Sequence, residues 1–141
     1  MFAVALLLIA SVAPATFVRT VAEGTDSPIR EHLEILVRTS DEWRTLWGRF
    51  APERAQPAID FAQEMVVGVF LGPRQREGRV VEIVSVAREG ANIVIRYREG
   101  NPDGQSRSGT TAPYLLVAIP RDPRPVRFIQ DRRGDNLTGG R

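Results

Sequence analysis

The sequence predicts an α+β domain, a mostly antiparallel β-sheet of about five or six strands with one amphipathic helix packed on it. Three observations carry that expectation. Two runs, Met65 to Leu71 and Tyr114 to Ile119, are apolar at successive positions and read as central strands covered on both faces. Between them, Arg79 to Arg88 and Asn92 to Glu99 flank Glu89-Gly90-Ala91 as a β-hairpin. Ahead of them, Trp43, Leu46, Trp47 and Phe50 recur at i, i+3, i+4 and i+7, the spacing of one helix face.

A chain of 141 residues has the size of one domain, long enough for a single core. Its hydrophobic fraction of 43% and charged fraction of 26% are those of a globular protein rather than a disordered one. Cysteine is absent, which excludes disulfides, thiolate metal sites and a cysteine nucleophile. Lysine is absent too, so all 19 basic side chains are arginines. With one His and two Tyr, little titrates between the carboxylates and the guanidiniums, and a net charge of +2 lifts the pI to about 9.9. That pI does not mark a nucleic-acid binder. The arginines are balanced by 17 acidic residues, and no basic block is longer than Arg132-Arg133.

Residues 1–18 read as a signal peptide or N-terminal anchor. Phe2 to Ala10 is an apolar run and Ala13-Pro14-Ala15 a small-residue cleavage pattern, although the first basic residue, Arg19, falls after them. Ser11 and Pro14 interrupt the run short of the roughly 18 apolar residues of a membrane span. The expectation is export to the periplasm or beyond, with membrane attachment only through an uncleaved leader. Residues 19–32, with Glu23-Gly24-Thr25-Asp26-Ser27-Pro28, read as a linker to a single globular domain over 33–130.

Within that domain, Leu33 to Val37 is a short strand. Thr39 and Glu42 have capping-box spacing, and Asp41 and Glu42 put negative charge at a helix N-terminus, so a helix runs from Thr39 to about Phe50. Its aromatic stripe offers either a binding face or a packing face, and the area of two indoles favours packing on the sheet. Pro52 and Pro57 end it. In the second hairpin strand Ile93, Ile95 and Tyr97 share one face and Val94, Arg96 and Arg98 the other, the pattern of a half-solvated strand. Gly100 to Gly104 is a turn, and Gln105 to Gly109 a polar loop or frayed strand start. Pro113 and Pro120 bound the strand between them. Val126 to Ile129 is the last strand, and residues 131–141 read as a disordered tail.

The chemistry-bearing residues are few. His32 is the only histidine, and its neighbours Glu31 and Glu34 point to different faces of a strand, so they do not close a metal site; a solvated His is expected. A Ser-His-Asp triad would need the same His32, and no nucleophile-elbow pattern is present. Asp60, Glu64, Glu82 and Glu89 carry no mark of an acid/base pair. There is no Gly-rich phosphate loop, and no cofactor is expected. Arg133-Gly134-Asp135 and the acceptor triplet Asn136-Leu137-Thr138 lie in the tail. Asp131, Asp135 and Asn136 do not match the EF-hand spacing. What remains is the connection after the first central strand, where Arg74, Gln75, Arg76, Glu77, Gly78 and Arg79 are the candidate partner-binding residues. Loops are usually polar, so a solvated connection is one reading. The other is a recognition loop displayed by a rigid sheet.

From near Ile35 to Phe128 the chain resembles the C-terminal domain of the PrcB family, a subunit of a bacterial secreted protease complex. The residues that carry the resemblance are Trp47, Asp60-Phe61 with Glu64-Met65-Val66, Phe70-Leu71-Gly72, and Pro113-Tyr114 with Ile119-Pro120. At the place of the family's Pro-Thr-Gly-Gly-Tyr-like motif this chain has Gln75, Arg76, Glu77, Gly78 and Arg79, of which Gly78 alone matches. The resemblance implies a non-catalytic accessory protein that associates with and stabilises a secreted protease. Three alternatives stay open: a protease inhibitor acting through an exposed loop, a structural cell-envelope module, and a hydrolase, against which one His and no Cys argue.

Overall fold

The computed structural model describes residues 17–101, 104 and 108–132. Its elements follow in the order β1 (Arg19–Gly24), β2 (Leu33–Val37), α1 (Ser40–Phe50), β3 (Glu64–Phe70), β4 (Arg74–Arg76), β5 (Val80–Glu89), β6 (Asn92–Gly100), β7 (Ser108–Thr111), β8 (Tyr114–Pro120) and β9 (Val126–Gln130). The strands form a four-stranded sheet β1-β8-β3-β2, a two-stranded ribbon β4-β7 and a three-stranded sheet β5-β6-β9. Strand pairings are antiparallel except β6 with β9. The class is the expected α+β, mainly sheet, but with nine strands among the described residues rather than five or six.

The three additional strands, β1, β4 and β7, all lie in polar sequence. Residues 19–32 are not a linker. β8 is a central strand whose backbone groups need partners on both sides, and β1 supplies one side from Arg19↔Ala118 to Gly24↔Tyr114. Past β1, the Ala112 N–H donates to the Thr25 carbonyl (2.7 Å) and the Ser27 N–H to the Ala112 carbonyl (3.1 Å). Ile29 is buried in the helix-side core. Turn-rich composition hid a segment that the fold uses as an edge.

The apolar runs are continuous because the four-stranded sheet is the middle layer of three. Val66 and Phe70 of β3 and Tyr114 and Leu116 of β8 pack with Trp43, Leu46, Trp47 and Phe50 of α1. Met65, Val67 and Val69 of β3 and Leu115, Val117 and Ile119 of β8 meet Val81 of β5 and Ile93, Ile95 and Tyr97 of β6. With a period of two, each face of β3 and β8 is therefore apolar for its own reason. On β6 the half-solvated expectation fails at Val94, which is 4% exposed although it lies on the face opposite Ile93 and Ile95. Arg96 follows it on that face and forks onto Glu89 (2.9 and 3.2 Å).

The helix begins as predicted. Thr39 is the N-cap, its Oγ1 accepting from the Glu42 N–H (3.2 Å). Both indoles are buried with their N–H groups satisfied by the segment after the helix: Trp43 Nε1 donates to the Pro57 carbonyl (3.0 Å) and Trp47 Nε1 to the Arg54 carbonyl (2.9 Å). Phe50 sits edge-on to both Phe70 and Tyr114, with ring centroids 5.5 and 4.5 Å away.

Where β3 begins and β8 ends, the connection from β8 to β9 is tied down by arginines. Asp122, 4% exposed, accepts from the Arg124 N–H (2.9 Å) and from Arg124 Nη1 (2.8 Å), and pairs with Arg88 Nε (3.1 Å). Arg38, at the end of β2, donates to the carbonyls of Asp122 (3.0 Å) and Arg124 (2.6 Å). The Arg124 backbone N–H, followed by the Arg124 and Arg88 charges, holds the Asp122 carboxyl below its ordinary pKa.

Among the described residues no helix is long and apolar enough to cross a membrane. Residues 1–16 of the expected leader and residues 133–141, which include the Arg133-Gly134-Asp135 and Asn136-Leu137-Thr138 triplets, lie outside the described residues. So do residues 102, 103 and 105–107. Asp131 is described, and its N–H donates to the Tyr97 carbonyl (2.7 Å), which continues the edge of β9.

Candidate functional site

At the opposite end of the strands, where β3 ends and β8 begins, the chain leaves the sheet and returns to it through the β4–β7 ribbon. Arg74 pairs with Thr111 and Arg76 with Ser108, with an irregularity between them. The run expected to be a loop thus starts as a strand, and only Glu77 to Arg79 form the turn into β5. Gly78 has φ +83°, the left-handed region that a side chain would oppose. The Thr111 hydroxyl donates to the Arg76 carbonyl (2.9 Å) and ties the ribbon diagonally across the irregularity.

Arg74, Gln75, Arg76, Arg79 and Glu99 line a cleft of about 260 Å³. The three arginines are not equivalent. Arg74 Nε is forked onto the Glu99 carboxylate (3.1 and 3.3 Å), and its Nη1 donates to the carbonyls of Leu71 (2.9 Å) and Pro73 (3.2 Å). Arg74 is therefore a strut between the end of β3 and β6 rather than a side chain free to meet a partner. Arg76 is exposed and Arg79 half-buried, and among the described residues neither forms an ion pair. Glu77 leans over Gly109 on the ribbon, in space a Cβ would occupy at 2.6 Å from its Cγ, and does not line the cleft.

Glu99 is the site residue that the sequence did not mark. The available signal was the hairpin register, which sets Glu99 opposite Val81, two residues from Arg79. His32 is also at this end, exposed as a residue but not merely solvated. Its Nε2 and the Tyr97 hydroxyl are 2.9 Å apart. Tyr97 is 1% exposed. Burial, then the hydrogen-bonded Glu34 carboxylate, pushes its phenol well above the ordinary value, so it remains a neutral donor. Glu31 is turned away to pair with Arg49. Among the described residues no group of three or more His, Asp or Glu side chains could hold a metal ion. Chemically, this end presents fixed positive charge on a short rigid ribbon, next to a histidine engaged with a buried phenol.

No family model, curated protein or solved structure matches the chain.

Proposed function

We propose that this chain is an exported, non-catalytic binding domain of the PrcB kind, an accessory protein that associates with a secreted protease through the ribbon end of its sheets. The observation that carries the proposal is the pair of arginines, Arg76 on a backbone held by β4–β7 pairing and Arg79 in the turn that leads from it into β5, beside a strut that keeps Arg74 and Glu99 in place. Binding residues concentrate where a rigid scaffold displays a short connection, and arginine, with its planar fork and weak hydration, is the cation best suited to interface pairing. Trp47, Val66, Phe70 and Tyr114, four of the residues that carry the resemblance, meet in the helix-side core. The only histidine is engaged with Tyr97 across 65 residues, a role that suits holding the start of β2 to β6.

The test is retention of a protease from the culture medium or cell envelope on the immobilised domain, with wild type set against Arg76→Gln/Arg79→Gln. The expected result is a protease that survives longer in the presence of wild type and is released by the double variant. Recovery of no protease sinks the proposal. A retained protease that loses activity stoichiometrically replaces it with the inhibitor reading.

A further inference from the structure

We propose that the cleft between Arg74, Arg76, Arg79 and Glu99 receives an acidic segment of the partner, one or two carboxylate side chains on an extended peptide. The inference deepens the partner-surface reading above and rests on it.

Charge is the first argument. Three guanidiniums and one carboxylate line the cleft, and the carboxylate is already matched by Arg74. What remains toward a ligand is the charge of Arg76 and Arg79, which among the described residues have no ion-pair partner. Geometry is the second. Arg74 engages Glu99 through Nε and two carbonyls through Nη1, so its guanidinium plane is fixed before any ligand arrives. The β4–β7 pairing and the Thr111–Arg76 hydrogen bond fix the backbone that carries Arg76. A carboxylate arriving there meets a pre-ordered backbone at Arg76 and a pre-oriented guanidinium at Arg74, which limits the entropic cost of association to ordering the Arg76 and Arg79 side chains. Size is the third. At about 260 Å³ the cleft falls just below the ~300–1,000 Å³ of pockets that enclose a small-molecule ligand, and it suits side chains presented by a larger body.

The same features disfavour a nucleic acid. Single strands are held by aromatic side chains on which bases stack, along a groove of continuous positive charge. Here the lining contains no aromatic residue, and Glu99 interrupts the cations.

The test is an amide NMR titration of the full chain at low salt. The probe is a capped peptide, Gly-Glu-Asp-Glu-Gly, and the control is its Gln/Asn counterpart. Expected are shifts at the amides from Arg74 to Arg79 and at Glu99 and Thr111, an apparent affinity at least tenfold weaker in Arg76→Gln/Arg79→Gln, and a several-fold loss when salt is raised past the point where the Debye length falls below about 10 Å. Equal shifts with the Gln/Asn peptide, shifts confined to other surfaces, or none at millimolar probe overturn the inference. If the double variant releases the captured partner while the acidic peptide leaves these amides unmoved, the partner surface stands and its acidic complement falls. If the peptide binds as expected while the double variant still holds the partner as tightly as wild type, the cleft is an acidic-peptide site and the partner-surface reading alone falls.

Discussion

The two ends of the stacked sheets use the same residue type in opposite ways. Around Asp122, the side chains of Arg38, Arg88 and Arg124 close on a buried carboxylate and on two carbonyls of the β8–β9 connection. At the ribbon end, Arg74 alone is closed in this manner, and Arg76 and Arg79 are left facing a cleft. An arginine can be a donor that satisfies stranded backbone carbonyls or a charge offered to another molecule. In a chain without lysine only the surroundings decide which. Buried acceptors within reach make it structural, and a strand that projects past the sheet makes it available.

The core that both ends share sets the largest expected effect. Trp47→Ala should destabilise the domain by about 3–5 kcal/mol, the range for emptying a large aromatic from a core, since it removes contacts with Trp43 and Phe50 and the bond to the Arg54 carbonyl. Thermal or urea unfolding measures it. An unchanged midpoint would mean that the stripe is not what holds helix to sheet.

Next comes the closed end. Asp122→Asn should cost about 1–3 kcal/mol at neutral pH through weakened charged hydrogen bonds. Because the folded carboxyl lies below its ordinary pKa, its contribution is present above the usual Asp value of about 3.9 and is lost as pH falls through the lowered folded value. The difference between wild type and variant should therefore shrink in acid. A gap independent of pH would show that the asparagine disturbs packing rather than charge.

At the ribbon end the two kinds of arginine should separate in one assay. Arg74→Ala leaves Glu99, whose side chain is 20% exposed, without its cation and frees two carbonyls. A loss of about 1–2 kcal/mol is expected. Arg76→Gln/Arg79→Gln should stay within about 0.5 kcal/mol of wild type, as surface changes away from special features do. Equal destabilisation in the two denaturant melts would erase the distinction between strut and available charge.

What the sequence made legible, and what it did not, divides along the same physical line. The helix, its Thr39 cap, the β5–β6 hairpin and the doubly covered β3 and β8 were readable because their apolar residues carry a period or a run. β1 and β4 were not readable, and β7 only as the frayed-start alternative for Gln105 to Gly109, because backbone pairing, not side-chain pattern, creates them. Arg19 to Gly24 is a strand because β8 has an open side, and Arg74 to Arg76 is one because Ser108 to Thr111 runs beside it. The site shows the same division. The cluster of arginines between β3 and β5 could be marked from composition. That Arg74 is a strut depends on Glu99, 25 residues away, and the engagement of His32 depends on Tyr97, 65 residues away.

The pairing of β1 with β8 has a consequence for the order of folding. The first described strand closes on a partner nearly a hundred positions later, from Arg19↔Ala118 onward, and β3 likewise waits for β8 on one of its sides. Contacts so distant along the chain carry a large loop-closure cost and slow the search for the native pairing. A nascent chain that has not yet released Tyr114 to Pro120 has no way to complete the middle layer. It can form the helix, the hairpin and the β2–β3 pair, but one edge of β3 stays unpaired and both cores lack the side chains of β8. Commitment to the fold is therefore deferred until almost all of the chain is in hand, and a truncation before Tyr114 should yield local structure without a cooperative domain.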